Sequence, residues 1–555
     1  MKLRCFFIAI IIMLLRQQDL FSQTSTYHRY IVEFKDKQDS PFSISDPAAF
    51  LSHRAIDRRN RYDIPITEND LPVNPAYVQQ VIDIGVKLLN KSKWLNSISI
   101  ETDDSILLAA VMALPFVKSS YPIAVRSSNS KRNLKSATES SDLKLSSDNV
   151  LDYGKAVNQI EMLHGNKLHQ QGYKGEGIII AVLDIGFNNA FNLSVFDSLF
   201  QEGRVLGQWN FVDQNDSVYY SGTHGTSVLS TISANSPGSM VGTAPGASIY
   251  LFVTEDGASE YPIEEHNWAA AAERADSVGA DMITSSLGYF EFQDASFNYT
   301  YAQMDGNTTM VTRAADYAAA KGMIVCNSAG NEGNHPWYYI IAPADADSIL
   351  TVGAVDSVGL HTSFSSHGPS SDGDIKPNVV AQGIRATVVE PYSGTILTSN
   401  GTSFSNPIIA GMTACLWQAH PDKNNMEIIH AIEKSASLYY DPNDSMGYGI
   451  PNYEVADLIL SDKAPDELAL SGPLIYPNPF NDIFGMLYYT AREQNLEIEV
   501  FNIYGEKIQS FETEFLAGYN YLPVTVLQNA SNGLYFLRLN FDDHREVVRV
   551  IKVQP

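Results

Sequence analysis

Three residues of this chain have the chemical types needed for nucleophilic catalysis: Asp184, His224 and Ser403. A serine hydroxyl is a weak nucleophile until a base removes its proton, and a neutral histidine can do this near pH 7. A buried carboxylate then holds the imidazole in the required tautomer and stabilises the imidazolium that forms. Together the three side chains predict a hydrolase that works through an acyl-enzyme intermediate.

The residues around these three also suit such chemistry. Gly222, Gly225 and Gly401 flank them, and glycine lets substrate and catalytic groups approach without side-chain clashes. Asn331 lies between two further glycines, and its uncharged amide is predicted to donate a hydrogen bond to the developing oxyanion. The backbone N–H of Ser403, at the start of a helical run, would supply a second donor with help from the helix dipole.

The elements that must hold these residues follow from the apolar pattern. Residues 178–183, which precede Asp184, are all apolar, as a strand covered on both faces of a parallel sheet must be. Similar short runs alternate with alanine-rich helical stretches over residues 150–461. This order predicts an α/β fold with a parallel sheet and helices on both faces, and it puts Asp184 at the carboxyl end of a strand, where such folds place their ligand crevice. The other predicted elements are the strands Ile249–Val253, Met282–Thr284, Met323–Val325 and Ile349–Val355 and the helices Trp268–Val278 and Met310–Lys321.

The order Asp, His, Ser, with the residues that flank each, resembles the subtilisin-like serine proteases, or subtilases. The resemblance covers roughly residues 175–435. Within it, Ser286, Leu287 and Gly288 resemble the family's substrate-binding strand, and residues 364–369 and 375–379 resemble the stretch that leads to the nucleophile. The resemblance implies a subtilisin-like fold and a serine endopeptidase that cuts proteins or peptides.

Two departures from the family pattern lie beside these motifs. Residues 404–407 read Phe-Ser-Asn-Pro where the family often has Met-Ala-Thr-Pro, and Ile185 stands where Thr or Ser is usual. Both neighbour the chemistry without carrying it, so they bear on substrate preference rather than on activity. The sequence leaves that preference open, because the pocket shape rests on loops such as Phe290–Asn307 that follow no family pattern.

Three other functions compete with an endopeptidase. An α/β-hydrolase is excluded, since residue 405 is Ser rather than Gly and the triad order differs. An exported adhesin that keeps an inactive protease fold stays open, although the intact triad and Asn331 argue against it. An esterase that uses the same three residues also stays open.

The composition of the chain also bears on which partners, metals and cofactors can be expected. The net charge of −26 repels phosphate backbones, so no nucleic-acid partner is expected. Cys326 and Cys415 lie in apolar runs and are expected to be buried rather than paired. No zinc-binding pattern occurs in the sequence, and the calcium sites of subtilases cannot be assigned to residues here, so neither a metal nor a cofactor is expected.

The N-terminal part divides into three predicted segments. Residues 1–22 read as a signal peptide, because Lys2 and Arg4 precede an apolar run too short to span a bilayer. Residues 24–126 form a small α+β domain that resembles subtilase propeptides, although an adhesion module would show the same pattern. The resemblance implies an intramolecular inhibitor whose tail occupies the active-site cleft. Residues 127–149 are polar and read as a linker.

The C-terminal part, residues 474–555, reads as short alternating strands of a small antiparallel β-sandwich. Residues 476–480, 500–505 and 533–538 resemble the sorting domains of the type IX secretion system. That resemblance implies export across a Gram-negative outer membrane by a secretion machinery, and a secreted or cell-surface enzyme. A β-sandwich that binds carbohydrate or a protein partner is the alternative.

Overall fold

The fold is described from a computed structural model. It describes residues 27–125, 151–220, 222–461, 472–542 and 544–553. The predicted signal peptide and the predicted linker lie outside these ranges. Within them, no helix combines the length and apolar character that crossing a membrane requires.

The N-terminal domain is a four-stranded antiparallel sheet in the order β2-β3-β1-β4, with two helices packed on one face. On that face Val32, Ile98 and Val111 share one apolar core. The opposite face carries Ile31 and Ile123, which pack against the central domain. The elements are β1 Arg29–Phe34, α1 His53–Arg61, α2 Pro75–Asp83, β2 Lys87–Ser92, β3 Ser97–Glu101, α3 Ser105–Met112 and β4 Val117–Ala124.

The central domain contains the longest run of strands and helices. The strands are β5 Ile179–Asp184, β6 Val205–Asn210, β7 Asn235–Ser236, β8 Met240–Val241, β9 Ser248–Val253, β10 Met282–Ser285, β11 Ile324–Ser328, β12 Leu350–Val355, β13 Val379–Gln382, β14 Ala386–Val389 and β15 Ile396–Ser399. The helices are α4 Val157–Glu161, α5 Gly165–Gln170, α6 Asp197–Gln201, α7 His224–Ser233, α8 Ile263–Val278, α9 Met310–Ala320, α10 Thr402–Ala419, α11 Asn425–Lys434 and α12 Tyr453–Leu460.

Seven of these strands form one parallel sheet in the order β13-β12-β11-β10-β5-β9-β6. Successive residues of β5 point to opposite faces: Ile180 and Val182 enter one core, and Ala181 and Leu183 enter the other. Helices α7 and α10 cover the first face, and α8 and α9 cover the second. The predicted α/β fold with helices on both faces of a parallel sheet is therefore confirmed.

The C-terminal domain is built from two antiparallel sheets, in the orders β16-β17-β20 and β19-β18-β21-β22. Phe484 and Met486 of the first sheet share a core with Ile498 and Leu537 of the second, which accounts for the alternating pattern in the sequence. The strands are β16 Leu474–Tyr476, β17 Phe484–Thr490, β18 Gln494–Phe501, β19 Lys507–Phe515, β20 Gly518–Val524, β21 Gly533–Phe541 and β22 Arg545–Lys552.

Candidate active site

Asp184 and His224 are joined by direct hydrogen bonds at the carboxyl end of the sheet. Asp184 is the last residue of β5 and fully buried, and His224 is the first residue of α7. The Nδ1 atom of His224 lies 2.9 Å from Asp184 Oδ1 and 3.0 Å from Oδ2. Because a carboxylate only accepts, Nδ1 carries the proton, and Nε2 is left as the proton acceptor.

The backbone around this pair explains why it forms. The N–H of Ile185 donates to Asp184 Oδ1 at 2.8 Å, which fixes the carboxylate. Gly225, the second residue of α7, lies directly on the strand end, and a methyl group there would come within 2.9 Å of Asp184 Cβ. Only a glycine therefore lets the helix start close enough for His224 to reach the carboxylate.

The environment of His224 changes its proton affinity. Burial lowers the pKa of the imidazole, but the charge of Asp184 and its hydrogen bond raise the pKa by more, so it lies above the ordinary histidine value. About a quarter of the side chain is still exposed, at 26% of its maximum. The imidazole is thus a stronger base than an ordinary histidine and is partly accessible from the surface.

Ser403 lies on the neighbouring helix, α10, as its second residue. Gly401, just before the helix, has φ of 146° and ψ of 151°, a conformation that residues with a Cβ rarely adopt. The ring of Phe404, the next residue, lies 5.8 Å from the His224 ring, centroid to centroid. The half-buried Ser403 is thereby placed beside the Asp184–His224 pair.

Asn331 is held by the same turn. It follows β11 in an exposed loop, and its Oδ1 accepts from the backbone N–H of Thr402 at 2.9 Å and from the Thr402 hydroxyl at 3.1 Å. An N–H can only donate, so the oxygen of the Asn331 amide must face Thr402 and the Nδ2 group must face away. That leaves two neighbouring donors, Nδ2 of Asn331 in the loop after β11 and the N–H of Ser403 in the first turn of α10.

The segment Ser286–Gly288 lies against the start of α10. It follows β10, and the Ser286 hydroxyl donates to the backbone oxygen of Ser403 at 2.9 Å. The Nδ2 atom of Asn406 donates to Thr284 Oγ1 at 3.1 Å and to the Ser285 oxygen at 3.0 Å. The structure therefore brings all seven predicted site residues to one edge of the sheet.

Two residues that position this site were not predicted from the sequence. Thr402 orients the Asn331 amide, and Asn406 ties the helix of Ser403 to the end of β10. A signal existed for Asn406, since it is part of the departure from the family pattern at residues 404–407. Thr402 stood inside a recognised motif, but its partner, 71 residues away along the chain, was not visible from the pattern.

Carboxylates close enough to share a cation occur in two places among the described residues. In each group, one oxygen per residue lies within 4.8 Å of the others. Burial raises the pKa of Glu255, in the first group, to about 8. The proximity of carboxylates alone does not indicate an ion, so neither group by itself marks a metal site. The groups are Glu255, Glu260 and Glu264, after β9, and Asp347, Asp372 and Asp374, near the start of β12 and before β13.

Comparison with protein-family models gives three matches along the chain. Residues 29–141 match the peptidase S8 propeptide domain of Bacteroidota, residues 175–450 match the subtilase family, and residues 474–553 match the secretion system C-terminal sorting domain. These matches confirm the three resemblances drawn from the motifs. The sorting domain indicates a secreted or cell-surface protein.

Known relatives and a solved structure are also similar to this chain. Subtilisin E of Bacillus subtilis (strain 168) is 31% identical over 304 residues, which cover 54% of this chain and 70% of that protein. Subtilisin of Bacillus pumilus is also 31% identical over 304 residues, covering 54% of this chain and 97% of its own length. The crystal structure of MycP1 from the ESX-1 type VII secretion system is 20% identical, covers 61% of this chain and 92% of its own, and has a TM-score of 0.44. With its family model and these subtilisin relatives, the chain belongs to the subtilase family and is a serine endopeptidase.

Proposed function

We propose that this chain is a secreted subtilase that cuts peptide bonds with Ser403 as nucleophile, His224 as general base and Asp184 as the group that orients the imidazole. The observation that carries the proposal is the pair of hydrogen bonds from His224 Nδ1 to Asp184, at 2.9 and 3.0 Å. Since Nδ1 carries the proton, Nε2 is the atom left to accept the proton of Ser403, and the residue that follows Ser403, Phe404, packs near the His224 ring.

The reaction follows from these positions. Ser403 Oγ attacks the scissile carbonyl carbon while its proton passes to His224 Nε2, and the carbonyl oxygen becomes negative. His224 then gives the proton to the departing amine, the C–N bond breaks, and an acyl-enzyme remains. Water attacks this ester with the same help from His224, which returns the proton to Ser403.

The developing oxyanion is stabilised by two donors. The Nδ2 group of Asn331 is oriented by Thr402, and the N–H of Ser403 is one of the free amides of the first helical turn. Donors already aimed at the place where charge develops require no reorganisation during the reaction. Ser286, Leu287 and Gly288 bind the substrate backbone along the adjoining strand end.

The N-terminal domain acts as an inhibitor of the peptidase until export is complete. Its sheet covers α8 and α9, and Asp276 of α8 accepts from Arg58 at 2.6 Å, Arg59 at 2.9 Å and Lys93 at 3.0 Å. At its far end Val125 packs against the apolar cluster that includes Tyr261, in the loop that follows β9 and begins next to Asp184. The last described residues of the domain therefore pack on an element that starts beside the site, which supports a tail that blocks the cleft.

Export uses the C-terminal domain as the recognition signal. Residues 474–553 match a secretion sorting domain, and the propeptide match is specific to Bacteroidota. We infer that an outer-membrane secretion machinery binds this domain and that the enzyme is released or displayed outside a Gram-negative cell.

A fluorophosphonate probe tests the proposal, because it reacts only with an activated serine. The secreted enzyme should be labelled at Ser403 and should hydrolyse casein, and Ser403→Ala should lose both properties while staying folded. The Ser403→Ala substitution removes a single oxygen atom, and loss of a triad member costs about 10⁴-fold or more in kcat. Unlabelled wild-type protein would support the inactive adhesin instead, and hydrolysis of short esters without casein would support the esterase.

A further inference from the structure

Two glycines flank the place where the substrate side chain next to the scissile bond must go. Gly288 ends the proposed substrate-binding segment, and Gly330 immediately precedes Asn331. A carbonyl held between the Asn331 amide and the N–H of Ser403 belongs to the residue on the amino side of the scissile bond, the P1 residue. Since that residue runs alongside Ser286–Gly288, its side chain enters the gap between Gly288 and Gly330.

The side chain of Ile341 fills the gap between these two glycines. A methyl group on Gly330 would lie 3.0 Å from Ile341 Cγ1 and 3.1 Å from its Cδ1, and one on Gly288 would overlap Ile341 Cδ1. Ile341 therefore touches both glycines and spans the space between them. Only 8% of the residue is exposed, so little of that space is open to solvent.

The backbone holds Ile341 in this position from both sides. Its own N–H donates to the oxygen of Ala329, on the Gly330 side, at 3.3 Å. The oxygen of the next residue, Ala342, accepts from the N–H of Tyr289, on the Gly288 side, at 2.8 Å. Because the backbone of this segment is hydrogen-bonded to both walls of the gap, the segment cannot move away without breaking these bonds, and the Cβ atom of Ile341 stays between the two glycines.

We propose that Ile341 closes the P1 pocket and makes this enzyme select substrates with a small P1 side chain, namely glycine, alanine or serine. The proposal rests on the proposed function, since it takes Ser403 and Asn331 as the groups that hold the scissile carbonyl. A leucine or phenylalanine at P1 would have to displace the packed side chain of Ile341. An alanine methyl group is small enough to fit without displacing it. A single methylene in a hydrophobic pocket changes specificity by about 10- to 200-fold, so the selection is expected to be strong.

The test compares peptide substrates that are identical except for Ala, Leu or Phe at P1. The secreted enzyme is titrated with a fluorophosphonate, so that kcat/KM is referred to active Ser403. Wild-type enzyme should prefer Ala over Phe by about 10-fold or more, and Ile341→Ala should raise the Phe/Ala ratio of kcat/KM by at least about 10-fold. Ile340→Ala is the matched control: Ile340 is fully buried against Ala329 and Ala344 and is not among the nearest neighbours of either glycine, so the ratio should not change.

A second variant covers the case in which Ile341→Ala does not fold. Ile341→Val removes one methylene, and it should raise the Leu/Ala ratio several-fold. The proposal is overturned if wild-type enzyme cuts after Phe as fast as after Ala, or if the Ile341 variants have unchanged ratios. Labelling of Ser403 in the same experiment would still support the proposed function. Protein that neither labels nor cuts any peptide would overturn both.

Discussion

The Oδ1 atom of Asn331 accepts a hydrogen bond of 2.9 Å from the backbone N–H of Thr402, the residue just before Ser403. The loop that carries the proposed oxyanion donor is thus fixed to the turn that carries the proposed nucleophile. Asn331 and Ser403, which must act on the same carbonyl group, therefore keep the same position relative to each other when the surrounding loops move.

We expect Asn331→Ala to lower kcat by about 10²- to 10³-fold with little change in KM, because the lost hydrogen bond is made mainly in the transition state. Steady-state kinetics on a peptide substrate measure both constants. Thr402→Ala serves as the control: it removes the bond of 3.1 Å from the hydroxyl but keeps the backbone donor, so its effect on kcat should be far smaller. An Asn331→Ala effect confined to KM would mean that this amide binds substrate and does not stabilise the oxyanion.

The pH profile follows from the raised pKa of His224. Only the neutral imidazole can accept the serine proton, so kcat/KM should fall on the acid side as His224 becomes protonated. Since Asp184 lifts the pKa above the ordinary value, the midpoint of that fall should lie above about 6.5. The rate of fluorophosphonate labelling should show the same midpoint, and activity that stays level down to pH 4 would contradict the assignment.

The buried ion cluster between the first two domains should dominate the stability of the uncleaved protein. Asp276 is fully buried, and although burial raises the pKa of its carboxyl, Lys93, Arg59 and Arg58 hold it well below the usual value. A depressed pKa means that the carboxylate stabilises the folded protein above about pH 4 and loses this contribution as the pH falls further. At neutral pH, Asp276→Asn leaves Arg58 and Lys93 without their paired carboxylate and leaves Arg59 with Asp70 alone, at a cost of about 3–5 kcal/mol.

Calorimetry on the uncleaved Ser403→Ala protein, with and without Asp276→Asn, measures this effect as a lower temperature of the first unfolding transition. Lys118→Ala is the control, since the pair of Lys118 with Glu33 is largely exposed, at 64% for the lysine side chain. Exposed pairs are worth about 0–1 kcal/mol, so the control should barely move the transition. Equal shifts for both variants would show that the buried cluster contributes no more than a surface pair.

The sheet and the proposed catalytic residues could be derived from the sequence because both depend on short, local patterns. The apolar run that precedes Asp184 indicates a buried strand without reference to distant residues. The short motifs around His224 and Ser403 can be recognised in the same way. Strand β5 begins one residue later and ends one residue later than predicted, and β10 and β12 are placed as closely. Strand positions and short motifs depend on residues that are neighbours along the chain, so a local sequence pattern can reveal them.

Features that depend on a second domain escaped prediction. Helix α1, with the sequence HRAIDRRNR, is highly polar and carries no apolar stripe, yet Arg58 and Arg59 are buried because Asp276 of the central domain pairs with them. Strand β4 likewise contains polar residues at its centre, and its apolar end packs on Ile263 of the central domain. Ile341 lies within the central domain, but it escaped prediction for a related reason, since its contact with Gly288 joins residues that are far apart along the chain.

Maturation should remove both flanking domains and leave an enzyme that runs from a residue after Arg126 to a residue near Ser461. The segment 127–149 is polar in sequence and contains Lys131 and Arg132, and the junction 461–465 is polar as well, so the sequence predicts cleavage in both places. N-terminal sequencing and intact mass of the secreted product measure both ends. A secreted, active enzyme that begins at Gln23 would show that the first domain is no inhibitor, and a product that ends at Pro555 would show that the sorting domain is retained. If the enzyme cuts its own linker, the Ser403→Ala protein should keep its N-terminal domain, whereas loss of that domain from the variant would assign the cut to another protease.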